Sequence, residues 1–215
     1  MFEEIIIWEQ QRLGKFTSSE IWKLMKPGRA KGEYFGQGAI TYIKSRVAEL
    51  ATGERSPDVS SNAIEYGRAL EPMAFAAFAS AHPELEPLHY GVAVPKFFPF
   101  GDFAGGSPDG ETINDGIIEI KCPYNSTNHI EHLLLDNQED LLDLCPEYYW
   151  QIQANLLFTE RSVAYFISYD PRVVKEESRL KVIEITPNAE NQKEIEERII
   201  KAAELMSDLF KKLNY

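Results

Sequence analysis

The sequence predicts an α/β (α+β) fold, a central mixed β-sheet flanked by helices. Three observations predict it. Short β-branched and aromatic runs at Ile117–Lys121, Ser162–Tyr169 and Leu180–Ile185 have the length and composition of strands. Longer stretches of helical period stand between and around them, at Ala39–Leu50, Ala63–Ala81 and Tyr148–Phe158. From Asn188 onward Ile195, Ile199, Ala202, Met206, Leu209 and Leu213 form one helical stripe. Helices that each carry one apolar face must bury it, and a sheet between them is the economical partner. At 215 residues and 44% apolar composition the chain has material for one core, so one domain with at most a small elaboration is expected.

The elements follow in order. Thr17-Ser18-Ser19-Glu20 opens a helix through about Met25, with serine caps and an early acid. Lys26–Gly38 holds Pro27 and four glycines and reads as a loop. The helix at Ala63–Ala81 contains Pro72, which predicts a kink or restart beside Glu71. Apolar runs at Gly91–Phe100 and from Phe103 supply strands, and Phe97–Ala104 stands upstream of the Ile117–Lys121 run. Between these runs Gly110–Gly116 is rich in turn formers, with Asp115-Gly116 the strongest hairpin signal. No internal repeat or low-complexity segment interrupts the pattern.

Charge is uneven. The net charge of −12 sits badly with a nucleic-acid partner, but residues 12–31 hold Arg12, Lys15, Lys23, Lys26, Arg29 and Lys31 against Glu20 alone. Residues 131–147 hold six acids and no Lys or Arg. One basic entrance on an acidic exterior would steer a polyanion to a single place; the bland alternative is a solvated helix face. Two cysteines, Cys122 and Cys145, fit a reducing cytosol and are too few for an iron–sulfur cluster. The acidic N-terminus and the absence of a long apolar run point away from export and from a membrane span.

The chemistry concentrates in residues 107–121. Side chains alternate along a strand, so Glu119 and Lys121 share one face and Ile118 and Ile120 the other, with Ile117 on the charged face toward the strand's outer end. A hairpin brings Asp109 back beside Glu119. Two carboxylates are hard ligands suited to Mg²⁺ or Mn²⁺. A lysine beside them can neutralise developing charge, or serve as a base if a metal favours its neutral form. On spacing alone an exposed, ion-paired hairpin fits equally well.

The flanking text is more specific. Gly-Ser-Pro-Asp-Gly at 106–110 with Glu-Ile-Lys-Cys-Pro-Tyr at 119–124 resembles the core of the lambda exonuclease (YqaJ-type viral recombinase) family, within the PD-(D/E)xK nuclease superfamily. Trp8 to Glu20, Tyr66-Gly-Arg-Ala-Leu-Glu71, Tyr149-Trp-Gln-Ile-Gln-Ala-Asn155 and Tyr165 to Arg172 resemble further family segments in the same order. The resemblance implies a restriction-endonuclease-like core over 61–185, an N-terminal helical part over 1–60 that binds the DNA end, and a C-terminal helix over 186–215. It implies that Asp109, Glu119 and the backbone carbonyl of Ile120 hold one Mg²⁺, and that Glu71 serves a second, with Mn²⁺ able to substitute. It assigns Gln151 to the active site; Asn155 lies one turn on along the same face, while Gln153 faces nearly the opposite way. It gives Arg12, Ser19 and Ser107 to a terminal 5′-phosphate and makes Arg29 a wedge between the strands. Thr127 departs from the pattern, standing where the compared family member has a second arginine, so the hold on a 5′-phosphate is weaker in charge.

His129 and His132 at i, i+3 read as surface residues rather than ligands, and Cys122 as a small buried apolar group. The resemblance implies a metal-dependent deoxyribonuclease, a 5′-to-3′ exonuclease on linear double-stranded DNA. It releases mononucleotides and leaves a 3′ single-stranded tail. The implied setting is a homotrimeric ring, a phage-type single-strand annealing protein as partner, no membrane, and the cytoplasm of a bacterium carrying a phage or prophage. The alternatives are a related endonuclease, an exonuclease of other polarity, a non-catalytic DNA-end-binding module and an acidic interaction protein.

Overall fold

The computed structural model describes residues 2–28, 32–56, 61–91 and 95–214, with only the backbone at residue 2. The chain begins with α1 (Phe2–Arg12), β1 (Phe16–Thr17), a 3-10 helix (Ser18–Lys23), α2 (Gln37–Thr52) and α3 (Asn62–Ala81). A 3-10 turn (Pro83–Leu85) leads to β2 (Leu88–His89), β3 (Phe98–Phe100), β4 (Ala104–Gly106), β5 (Gly110–Thr112) and β6 (Gly116–Lys121). Then come α4 (Ser126–Leu133), α5 (Gln138–Leu144), α6 (Pro146–Thr159), β7 (Val163–Tyr169), a 3-10 turn (Glu176–Ser178), β8 (Leu180–Ile185) and α7 (Ala189–Lys212). Asparagine or serine starts four of the helices: Ser61, Asn125, Asn137 and Asn188 each accept from a backbone N–H of the first turn. Such a cap contributes about 1 kcal/mol.

The larger sheet has the order β2-β5-β6-β7-β8, all antiparallel except the β6–β7 pair. Parallel neighbours require a long crossover, and α4 to α6 provide it. The smaller sheet, β1-β4-β3, sets β1 parallel to β4. The fold is therefore mixed α+β, with helices on both faces of the larger sheet. On one face Ala74 and Phe78 of α3 pack on Ile118, Ile120, Val163, Tyr165 and Ile167. On the other, Leu141, Ile152 and Leu156 of α5 and α6 pack on Ile117, Ala164 and Phe166. A third cluster joins α2, α7 and the first 3-10 helix to α6. Arg198 of α7 reaches across to donate to the Leu24 carbonyl at 2.7 Å.

Several local expectations change. The segment after Thr17 winds as a 3-10 helix and ends at Lys23, and Thr17 makes no side-chain cap. Helix α3 passes through Pro72 without a restart. The partner of β6 in the hairpin is β5 rather than the Phe97–Ala104 run, which goes to the smaller sheet. Its turn places Asp115 in the left-handed region (φ 63°), the conformation a three-residue hairpin loop needs at its last position. Ile117 is not at an outer end; it is core, because its face of β6 lies under α6.

Candidate active site

Strand β6 is buried along most of its length, which makes the two charges on it conspicuous. Glu119 points toward α6 and is 1% exposed. Three amide or ammonium groups meet its carboxylate. Lys121 Nζ donates to Oε1 at 2.8 Å, Gln151 Nε2 to the same oxygen at 2.5 Å, and Asn155 Nδ2 to Oε2 at 3.1 Å. Lys121 also donates to Gln151 Oε1 at 3.2 Å and lies 4.9 Å from the centre of the Tyr148 ring. Gln153, on the other side of α6, instead bonds the backbone at Thr186 and Asn188. A buried carboxylate costs several kcal/mol in lost hydration, and charge-assisted bonds of about 1.5–3 kcal/mol each offset it.

Asp109 enters from the segment just before β5. Its N–H donates to the Ile118 carbonyl and its own carbonyl accepts from Tyr90, so it extends the ladder between β2 and β6. Its carboxylate accepts from the Ile120 N–H at 2.7 Å. Two glycines of the motif make this approach possible. A Cβ at Gly110 would lie 2.4 Å from the Leu88 carbonyl oxygen, and one at Gly106 would lie 2.2 Å from Asn155 Oδ1. Glu71, on α3, is hydrogen-bonded to His89 Nε2 at 2.8 Å, and the His89 ring stacks on Phe75, one helical turn beyond Glu71. The two-residue strand β2 thus braces both acids: its backbone pairs with the Asp109 segment and its histidine holds Glu71.

The electrostatics are those of crowded acids. Burial raises the Asp109 pKa well above the carboxylate range, and Glu119 and Glu71 add to the rise, against the pull of Lys121 and the Ile120 N–H. Burial also raises Glu119, although Lys121 opposes it. For Lys121, burial works against the charge, but Glu119 and Asp109 outweigh it and the ammonium is held more firmly than usual. In this arrangement Lys121 is a cation rather than a base. Three mutually repelling carboxylates and a buried Asn155 Oδ1 without a partner among the described residues form an oxygen-rich donor set of the kind hard divalent cations take. Among the described residues no three His, Cys, Asp or Glu side chains already converge as a cage. The acids are turned instead toward Lys121, Gln151, Asn155, the Ile120 N–H and His89.

The acids open into a cleft of about 710 Å³ that also reaches Arg12, Ser19 and Ser107. Arg12 stacks on Trp8 at 4.0 Å, and the Trp8 indole N–H donates to Ser107 Oγ at 2.9 Å, so α1 fixes both groups. Arg46, Arg55 and Arg68 line the same cleft from α2, the following segment and α3. None of these three lies in the basic stretch, so no local charge count could find them. Two of them are ion-paired, Arg46 with Glu49 and Arg55 with Glu9, so the guanidinium groups on this wall are held in place by neighbouring acids. Part of the stretch itself is spent internally: Lys23 pairs with Glu20, and Lys15 donates to the Asp102 carbonyl. Arg29 lies outside the described residues. Thr127 is exposed on the first turn of α4 and does not line the cleft.

His89 and the three arginines are what sequence reasoning missed, and a lone histidine eighteen residues beyond Glu71 carries no local signal. His129 and His132 are corrected: both are buried, and both Nδ1 atoms meet Ser168 Oγ at 2.8 Å. Burial, with His129 and Lys121 nearby, lowers the His132 pKa to about 4. The two rings and Ser168 form a buried core network. Cys122 is buried as expected, its thiol pushed up to about 12 by burial and then by Glu71 and Asp109.

A family model described as the YqaJ-like viral recombinase domain matches residues 7–162. Among solved structures, an alkaline exonuclease (LHK-Exo) from Laribacter hongkongensis is 26% identical, with 97% of this chain and 95% of that chain covered and a TM-score of 0.76. The same enzyme in complex with dAMP gives 27% identity, 97% coverage of both chains and a TM-score of 0.74. A phage-related exonuclease from Haemophilus somnus 129PT shares the fold at 14% identity, 93% and 96% coverage and a TM-score of 0.69. Comparison with curated proteins gives no match.

Proposed function

The chain belongs to the YqaJ-like viral recombinase domain family, and from that membership we propose that it is a metal-dependent deoxyribonuclease acting as a 5′-to-3′ exonuclease on linear double-stranded DNA. The observation that carries the reading is the single cleft that joins Asp109, Glu119, Lys121, Gln151 and Glu71 to Arg12, Ser19 and Ser107. Asp109, Glu119 and the Ile120 carbonyl are the ligands we assign to one Mg²⁺, with Glu71 toward a second. When bound, Mg²⁺ supplies Lewis acidity to the phosphate and a lowered pKa to water.

The chain's own residues do the rest. Lys121, held protonated by Glu119, faces the cleft as a compact charge for the pentavalent phosphate. Gln151 can give its amide N–H to a phosphate oxygen or hold the attacking water once it leaves Glu119. His89 keeps Glu71 oriented. Arg12, with its planar fork, and the hydroxyls of Ser19 and Ser107 line the same cleft and suit a terminal phosphate. Mononucleotide release is in keeping with the dAMP held by the Laribacter enzyme.

The reading extends to a homotrimeric ring around the duplex, a 3′ single-stranded tail passed to an annealing protein, and action in the cytoplasm of a phage- or prophage-bearing bacterium. A ring would let an acidic chain hold DNA by enclosure. Among the described residues no helix is long and apolar enough to cross a membrane.

The test compares linear duplex with covalently closed circular DNA in Mg²⁺. Linear DNA is degraded and the circle survives; cutting of the circle overturns the exonuclease reading in favour of an endonuclease. Asp109→Ala and Lys121→Ala should each abolish turnover, and activity retained in either overturns the site. Tight binding of DNA ends without hydrolysis by the unaltered protein would make it a binding module.

A further inference from the structure

The segment from Tyr165 to Arg172 stands out in the sequence, and the metal chemistry does not use its end. Asp170 is fully buried, and Arg172 donates to both of its oxygens, from Nε at 2.8 Å and from Nη2 at 2.9 Å. The same guanidinium donates to the carbonyls of Pro123 and Tyr124, at 2.9 and 3.0 Å, and lies 4.8 Å from the centre of the Tyr66 ring. Tyr66 in turn meets Tyr124 edge to face, with centroids 5.5 Å apart. The result is a large aromatic ring, 53% exposed, whose backbone and inner edge are both fixed. A core tyrosine needs no such scaffold, and a casual surface tyrosine does not have one.

Tyr124 borders a cavity of about 480 Å³. This cavity meets the active-site cleft at Ile64, Glu71, Ile120 and Lys121 and continues away from Arg12, Ser19 and Ser107. Its lining also includes Tyr148, Asn125 and Asn128. Lys121 is the only cation among its described lining residues, whereas Arg12, Arg46, Arg55 and Arg68 line the active-site cleft. The volume suits one nucleoside. Aromatic faces with uncharged amides suit a nucleobase, which offers a flat π-surface and polar edges, and do not suit a phosphate.

We propose that this cavity seats the base on the 3′ side of the scissile phosphate, stacked on Tyr124. The proposal rests on the nuclease reading for the position of that phosphate. It makes Arg172 and Asp170 positioning residues for a binding surface, and it gives the cleft two ends of opposite character: charge for the terminal phosphate and an aromatic seat for the second base.

Linear duplexes carrying a 5′-phosphate are prepared with normal bases, or with an abasic residue at the first, second or fifth nucleotide of the 5′-ended strand. Release of the first nucleotide is followed in single turnover. Tyr124→Ala is expected to lose about tenfold to hundredfold on the normal duplex, the value of one base stack. Tyr124→Phe, which keeps the ring, is expected to recover most of that loss. An abasic residue at the second nucleotide should cost the unaltered protein a similar factor and cost Tyr124→Ala nothing further. No loss in Tyr124→Ala, the same loss on abasic and normal DNA, or coupling at another nucleotide overturns the proposal. A second readout uses 2-aminopurine at the second nucleotide in Ca²⁺, where binding should quench fluorescence in the unaltered protein and not in Tyr124→Ala; equal quenching in both overturns the stack. Should the unaltered protein cut none of the duplexes, the nuclease reading fails by itself and the quenching still decides the role of Tyr124.

Discussion

Replacing Asp109 by asparagine should inactivate the protein and make it more stable without metal. Asp109 is buried beside Glu119 and Glu71, and burial and those two charges raise its pKa well above the carboxylate range. The hydrogen bond it accepts from the Ile120 N–H at 2.7 Å is one an asparagine Oδ1 can accept equally. A raised folded pKa means that stability is greatest below the ordinary carboxylate pKa and falls as the pH climbs through the raised value. The substitution removes that penalty, so its advantage grows with pH and then levels off. Relief of a strained functional charge is worth about 1–2 kcal/mol. For a domain of this size that is a rise in Tm of about 2–8 °C. Calorimetry in EDTA at pH 8 reads it directly. Saturating Mg²⁺ should stabilise the unaltered protein by about 2.7 kcal/mol at a hundred times Kd and leave Asp109→Asn nearly unmoved. A lower Tm for Asp109→Asn in EDTA would show that the carboxylate is a structural group, and the assignment of the acidic cluster as a cation site would fall.

Three further outcomes are expected. Gly106→Ala places a methyl 2.2 Å from Asn155 Oδ1, so it should destabilise the fold by about 1–3 kcal/mol in urea unfolding and cut activity by displacing the Glu119 partner; a neutral result would show that α6 can retreat. His89→Ala should raise the Mg²⁺ concentration for half-maximal activity about tenfold, as loss of a ligand's hydrogen-bond partner does elsewhere, with His89→Gln partly restoring it; an unchanged Mg²⁺ dependence would separate His89 from the metal site. Asp170 is held at a pKa of about 2 because Arg172 outweighs its burial, so its contribution is present above pH 4 and is lost as the pH falls toward 2. Asp170→Asn should therefore cost about 1–2 kcal/mol at pH 7, less than the full shift because Arg172 is partly exposed, and the difference should shrink below pH 4.

The parts of the site that were legible are those carried by local periodicity. Two-residue alternation placed Glu119 and Lys121 together, and helical spacing separated Gln151 and Asn155 from Gln153, as the bonds to Glu119 and to Thr186 show. The same alternation set Ile117 beside Glu119 but said nothing of what lay above that face; α6 covers it, so an outer position became core. Pairing between distant segments was not legible. Turn residues at 110–116 announced a hairpin, but a six-residue and a three-residue strand could be matched only once the Phe97–Ala104 run was known to pair with β1 and with itself. His129 and His132 looked like surface because a histidine pair says nothing of Ser168, 36 and 39 residues away. Arg46, Arg55 and Arg68 come from three separate segments, and only the folded chain gathers them on one wall.

The most direct measurement follows a linear duplex labelled at either the 5′ or the 3′ end of each strand in Mg²⁺. The account expects 5′ label to leave first as mononucleotide while 3′ label stays on a long single strand, faster from 5′-phosphate than from 5′-hydroxyl ends. Early loss of 3′ label as mononucleotide, or release of internal fragments from both strands, would contradict it.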